Sequence, residues 1–387
     1  MSRRRIATIL GTRPEVIKMA PVIREIERHQ SIFHNVIVTT AQHRQMLDQV
    51  LSVFGIEPDV DLGLMQHNQD LADFASRSLL SVSNLFSEIR PDAVLVQGDT
   101  TTVVTASLAA FFKGIPVGHV EAGLRSFNRY QPFPEEINRR IAACLANIHF
   151  APTMRARDNL LREGVAQETI FVTGNTIVDA LNSMSLGSTF DDPRLSVLNR
   201  NGDRRQLLVT AHRRENHGQP LRSICQALKM IVGKFLDVEA VYPVHLNPSV
   251  SEVVRAELDG VDRIHLIDPV SYPDLLRLMQ RSYLILTDSG GIQEEAPSFR
   301  KPVLVLREVT ERPELIEAGA GIIVGTDSNR IEEAATRLLT DSVEYGKMSA
   351  TENPFGDGHA AERVVSSLVK FFQNNYCMNS QTKQLLA

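Results

Sequence analysis

The chain is poor in cysteine: Cys144, Cys225 and Cys377 are the only ones in 387 residues, at spacings that suit neither a metal site nor a disulfide framework. A reducing compartment follows, and we expect a cytoplasmic protein. Charge of one sign is also scarce. A formal net charge of -5 offers no surface that would draw nucleic acid or an anionic membrane, so neither is expected as a partner. Long apolar runs are missing too. Leu95 to Ala110 comes nearest and is interrupted by Gly98-Asp99-Thr100-Thr101-Thr102, while the apolar run Ile6 to Leu10 after the basic N-terminus is too short for a signal-peptide core. No histidines take a metal-ligand spacing, and neither a GxGxxG fingerprint nor a Walker A lysine loop is present. Metal, dinucleotide and P-loop chemistry are disfavoured, and any phosphate must be bound by local geometry.

What is present is alternation. Strand-like runs recur at Arg5 to Leu10, Asn35 to Thr39, Asp92 to Gln97, Pro116 to Val120 and Ile148 to Ala151. They recur again at Gln206 to Thr210, Glu239 to Val244, Arg263 to Ile267, Tyr283 to Thr287, Pro302 to Leu306 and Gly321 to Val324, with helical patterns between. Continuous apolar strands separated by helices predict parallel sheets covered on both faces. The length exceeds one ordinary core, so the fold class is α/β, with two doubly wound, Rossmann-like domains and a cleft between them. A turn-rich stretch from Ser183 to Arg205, able to hold a short helix at Pro193 to Leu198, marks the hinge region, with the hinge itself slightly earlier. A closing helix is expected from Ala360 to Asn374, crossing back onto the first domain. The expected borders are 1–172 plus 364–387 for the first domain and 173–363 for the second.

In such sheets ligands bind beyond the carboxyl ends of the strands, and here those positions are polar. The run Leu284 to Thr287 empties into Asp288-Ser289-Gly290-Gly291 at a helix start. Glycines there let the backbone approach an anion, and the unpaired N–H groups of the helix face it, although a plain corner capped by Ser289 fits as well. Glu295, one turn on, is placed to grip a ribose. Arg312-Pro313 repeats the arginine-at-helix-start logic of Arg13-Pro14, and both arginines suit a diphosphate. Arg13 also has a bland reading as a loop cation or a partner of Glu15. His212, followed by two arginines at a strand end, is a candidate phosphate donor or acid, and His245 ends another strand. Asp99, Glu121 and Glu135 follow strands or open a helix, and side by side they supply carboxylates for moving protons. Taken alone, Asp99 reads as a helix cap and Glu135 with Glu136 as first-turn acids that complement the dipole.

The motifs GTRPE (11–15), TAQHRQMLDQ (40–49), GDTTT (98–102), HVEAGLR (119–125), PEE.NR (134–139), AHRREN (211–216), DSGGIQEE (288–295) and ERPE (311–314) together resemble the bacterial non-hydrolysing UDP-N-acetylglucosamine 2-epimerases over nearly the whole chain. The resemblance implies a glycosyltransferase GT-B architecture, a homodimer, and no metal or nicotinamide cofactor. It implies UDP-N-acetylglucosamine (UDP-GlcNAc) and UDP-N-acetylmannosamine (UDP-ManNAc) as substrates, interconverted for surface polysaccharide synthesis. Asp99, Glu121 and Glu135 become the acid/base carboxylates, with His212 near the diphosphate. Arg13 and Lys18 lie at the site's mouth, while Ser289, Gly290, Gly291, Glu295 and Arg312 hold diphosphate and ribose. A second UDP-GlcNAc, acting as activator, is implied for Gln42, His43, Gln45, Gln69 and His245. Two departures stand out: Val270 where relatives often carry Gln beside the uracil, and Asn68 where the activator site often has Arg. A hydrolysing epimerase, a GT-B glycosyltransferase and a catalytically silent sugar-nucleotide sensor stay open as alternatives.

Overall fold

A computed structural model describes residues 3–40, 44–65, 70–199 and 204–382, without the side chains of 44–46, 196, 197, 199 and 374–382. The apolar runs form strands because they are buried on both faces of their sheets. Ile6, Ala7, Ile9 and Leu10 are almost fully enclosed, as are Leu284, Ile285 and Leu286. Each of the leucines and isoleucines contributes about 1.5–3 kcal/mol through the area it removes from water.

The first sheet is built from β1 (Arg4–Leu10), β2 (Phe33–Thr39), β3 (Val60–Asp61), β4 (Ala93–Gln97), β5 (Val117–Val120), β6 (Ile148–Ala151) and β7 (Ile170–Val172). All pairs are parallel, in the order β3-β2-β1-β4-β5-β6-β7. The second contains β8 (Arg205–Thr210), β9 (Val238–Pro243), β10 (Ile264–Ile267), β11 (Leu284–Thr287), β12 (Val303–Val305) and β13 (Gly321–Ile323). It is also parallel, in the order β10-β9-β8-β11-β12-β13. Both are Rossmann-like, with the strand order reversing beside β1/β4 and β8/β11, where this fold binds ligands. The edge strands β3 and β7 are not apparent in the sequence, being too short to show a period.

The chain divides into two compact units, residues 1–183 with 355–387, and residues 184–354. The borders thus lie about ten residues from those expected at 172/173 and 363/364. The cause is the helix Thr176–Ser183, which packs on the helix Arg13–Arg28. Its buried Asp179 accepts hydrogen bonds from Ala360 N (3.2 Å) and Ala361 N (2.8 Å), capping the closing helix Ala360–Thr382 within the first unit. Just before it, Asn175 N donates to Phe355 O at 2.7 Å. The Pro193–Leu198 stretch is part of a 3-10 helix, Pro193–Asn199.

Candidate active site

In the first unit, β1 is followed by Gly11, packed so tightly that a Cβ there would lie 2.9 Å from Thr102 Cβ. Thr12 and Pro14 then open the helix Arg13–Arg28. Glu15 turns inward rather than toward Arg13. It accepts from Gly11 N, Thr12 N (3.1 Å) and Thr100 Oγ1 (2.5 Å), tying the loop after β1 to the loop after β4. Burial pushes its carboxyl up from 4.5 to about 7, against the hydrogen bonds it accepts.

Asp99 does not cap the helix that follows. Thr100 does, its Oγ1 accepting from Val103 N at 3.3 Å, which leaves the Asp99 carboxylate for another partner. That partner is Arg139, whose Nε and Nη2 lie 2.9 and 2.8 Å from Asp99 Oδ2. Asn138 Nδ2 adds a bond to the Asp99 carbonyl at 2.8 Å. Both belong to the helix Glu135–Leu145, so the element that begins at Glu135 grips Asp99 one turn later. Glu136 has a structural duty: fully buried, it accepts from Ser126 N (2.9 Å) and Phe127 N (3.2 Å).

Glu121 follows β5, whose Val120 pairs with Gln97 of β4, so Asp99 and Glu121 leave adjacent strand ends. Its backbone is left-handed (φ 65°), a conformation that costs a non-glycine residue about 1–2 kcal/mol. Lys18 forms a buried ion pair with its Oε2, and Asn175 Nδ2 reaches the same oxygen at 3.4 Å. Beneath, His119 Nε2 donates to the Gly98 carbonyl at 2.7 Å, and burial lowers its pKa to about 4, so this imidazole is neutral near pH 7.

In the second unit, Ser289 precedes the helix Gly290–Glu295 but forms no side-chain cap, so the plain capped corner is not what is built. A Cβ on Gly290 would stand 3.7 Å from Arg312 Nη2 and 3.9 Å from Arg213 Nη2, which puts two guanidinium groups beside the helix start. Arg312 is held from behind by buried Glu294, and its Nη1 lies 3.7 Å from Glu311. Tyr272 Oη donates to Glu295 Oε1 at 3.1 Å and fixes that carboxylate. His212 stacks on His245 (5.3 Å between centroids, 13° between planes), with its Nδ1 3.6 Å from Asp288 Oδ1. Burial lowers the His212 pKa, and the Asp288 carboxylate opposes that shift.

The first unit therefore brings together Asp99, Glu121, Lys18 and the helix of Glu135 around adjacent strand ends. The second gathers Ser289, Gly290, Gly291, Glu295, Arg312, His212 and His245. Of the residues implied for an activator, Gln42, His43 and Gln69, together with the side chain of Gln45, lie outside the described residues. Val270 sits half-buried after β10, directly before the helix that supplies Tyr272. Among the described residues no three His, Cys, Asp or Glu side chains form a metal-binding group, and no helix is long and apolar enough to cross a membrane.

Arg139, Asn175, Arg213, Tyr272 and Asp288 have no assigned role in the sequence reading. Arg139, Arg213 and Asp288 sit inside motifs already singled out, so their signal was adjacency to a candidate. Asn175 and Tyr272 are uncharged and follow no strand end directly, and only the folded chain shows what they touch.

A family model described as UDP-N-acetylglucosamine 2-epimerase matches residues 24–369. The UDP-N-acetylglucosamine 2-epimerase of Bacillus subtilis (strain 168) is 51% identical over 369 residues, covering 95% of this chain and 96% of its own. The crystal structure of the Neisseria meningitidis UDP-GlcNAc 2-epimerase bound to UDP-GlcNAc superposes with a TM-score of 0.87 at 44% identity, covering 95% of this chain and all of the other. The Methanocaldococcus jannaschii UDP-GlcNAc 2-epimerase, in complex with UDP-GlcNAc and UDP, gives 0.80 at 34% identity, with 95% and 99% covered. With a family model across most of its length and relatives near half identical end to end, the chain belongs to the UDP-N-acetylglucosamine 2-epimerase family.

Proposed function

We propose that the protein interconverts UDP-GlcNAc and UDP-ManNAc without releasing free sugar. The proton at C2 of the sugar is not acidic enough for direct exchange, because no carbonyl stands next to that carbon, and the position bears an acetamido group in place of a hydroxyl that could be oxidised. Elimination avoids both obstacles. A carboxylate takes the C2 proton, a C1–C2 double bond forms, and the C1–O bond breaks with its electron pair leaving on UDP, giving 2-acetamidoglucal. UDP oxygen then adds back to C1 while a proton reaches C2 on the opposite face.

Asp99, Glu121 and Glu135 are the acid/base set in this reading, and Arg13 and Lys18 stand beside them. Ser289, Gly290, Gly291, Arg312 and His212 hold the diphosphate, whose growing charge on departure makes fixed positive groups most valuable in the transition state. Glu295, fixed by Tyr272, takes the ribose. The observation that carries the reading is that Asp99 and Glu121 leave adjacent strand ends with a separate cation against each, which sets two carboxylates side by side, each with its own partner. The Gly11 to Glu15 loop supports the non-hydrolysing branch over the hydrolysing one. We place the protein in the cytoplasm as a homodimer that supplies ManNAc units for surface polysaccharide, with a second UDP-GlcNAc as activator at a site that includes His245.

Incubation with UDP-GlcNAc in D₂O, with no added metal or nicotinamide, gives UDP-ManNAc carrying deuterium at C2. Stoichiometric free UDP and ManNAc in its place would transfer the protein to the hydrolysing class. Absence of both exchange and product would make it a sensor.

A further inference from the structure

Asp288 closes β11 and is completely buried. Its Oδ2 accepts three hydrogen bonds, from His212 N (2.8 Å), Arg213 N (2.8 Å) and Asn216 Nδ2 (3.0 Å), so it folds the whole loop after β8 around one oxygen. Oδ1 differs. It is buried, accepts no hydrogen bond, and faces His212 Nδ1 at 3.6 Å. A buried carboxylate oxygen left without a donor is costly, and a small movement of one ring would satisfy it.

That ring is already guided on other sides. Tyr242 Oη donates to the Ala211 carbonyl at 2.6 Å, and His217 Nε2 lies 3.3 Å from the His212 carbonyl. His245 stacks on the imidazole, and its own Nδ1 accepts from Asn247 N (3.1 Å).

We propose that Asp288 is a positioning residue for the reaction: it receives Nδ1–H of His212 and so makes the imidazole a cationic donor, through Nε2, to the diphosphate. With Nδ1 protonated toward Asp288, a neutral His212 would offer a phosphate oxygen only the Nε2 lone pair, which repels it. The imidazolium donates instead, and the buried carboxylate favours that form. The inference rests on the second unit being the diphosphate holder. The charges that act on His212 are Asp288 and Glu215, which favour its protonation, and Arg213 and His245, which oppose it together with burial.

Asp288→Asn is the sharpest test, because its carbonyl oxygen can still accept the three N–H bonds while its amide would donate to Nδ1 and reverse the tautomer. The expected outcome is a folded variant with UDP affinity lower by about tenfold, because the neutral Nε2–H bond that the reversed tautomer still offers replaces a charge-assisted one. The fall in UDP affinity at rising pH moves to lower pH, because removing the carboxylate disfavours the imidazolium. In a His212→Gln background, Asp288→Asn has no further effect on UDP affinity. ¹⁵N spectra of the unmutated protein show Nδ1 of His212 protonated throughout, which decides the matter even where the variant does not fold. An unchanged pH profile in a folded variant, additive losses in the double variant, or a neutral Nε2–H His212 in the unmutated protein would overturn the assignment. Failure of the parent protein to bind UDP or epimerise would instead sink the functional reading, leaving the tautomer to be judged on the spectra alone.

Discussion

The two units share a strand order and place their polar residues beyond the carboxyl ends of their central strands, yet they present opposite charges there. After β4 and β5 the groups offered are carboxylates, each backed by a cation: Asp99 by Arg139, and Glu121 by Lys18. After β8 and β12 they are guanidinium groups, Arg213 and Arg312, with carboxylates behind them: Glu294 against Arg312, and Asp288 under the Arg213 backbone. Both units also fasten their paired loops with a buried carboxylate that accepts backbone N–H groups, Glu15 in the first and Asp288 in the second. The fold fixes where chemistry can happen. Which sign of charge stands in front decides whether the site moves protons or holds an anion.

The sharpest way to break that division is Asp99→Asn. If the first unit only moves protons, turnover should fall by about 10²–10⁴-fold, the usual worth of a positioned acid or base, with UDP affinity nearly unchanged. Steady-state kinetics and calorimetric titration of UDP separate the two. Weakened UDP binding with normal turnover at saturation would return Asp99 to a structural role.

Arg312→Met probes the other half. It removes a cation from the proposed diphosphate site and leaves buried Glu294 facing an apolar chain, so both binding and stability should suffer. We expect UDP affinity to drop about 10–100-fold through lost charge-assisted bonds, and stability to fall by about 3 kcal/mol because a buried ion pair is broken from one side. Titration and denaturant melts measure these. A variant that binds UDP normally would remove Arg312 from the anion site.

Much of this contrast is legible in the sequence, because the fold and the strand ends are written in local pattern. Apolar runs alternating with helices gave all but the two short edge strands, and the residues after each run contained Asp99, Glu121, His212 and Arg312. Pairing is not local. Nothing in the order of residues says that Arg139 turns back to Asp99, that Thr100 takes the cap and frees it, or that Tyr272 reaches Glu295. The borders between units were misplaced for the same reason: Asp179 caps a helix 181 residues further on, a contact that leaves no periodic trace.

The smallest expected effect sharpens the comparison of the two loop fasteners. Glu15 is served by the neutral donors Gly11 N, Thr12 N and Thr100 Oγ1, and burial holds its carboxyl near pH 7 where an exposed one would titrate near 4.5. The folded state therefore binds the proton more tightly than the unfolded chain between those values. Stability from this group is fully present below about pH 4.5 and is lost as pH rises to about 7, by up to about 3 kcal/mol. Glu15→Gln copies the protonated form, since its oxygen can accept from Gly11 and Thr12 while its amide donates to Thr100. The variant should match the parent near pH 4 and melt about 6–12 °C above it at pH 8, in line with about 2–4 °C per kcal/mol for a unit of this size. Thermal melts at the two pH values decide it. If Glu15→Gln is equally destabilising at both, the carboxylate charge is welcome where it sits, and the first unit fastens its loops with an ionised group after all.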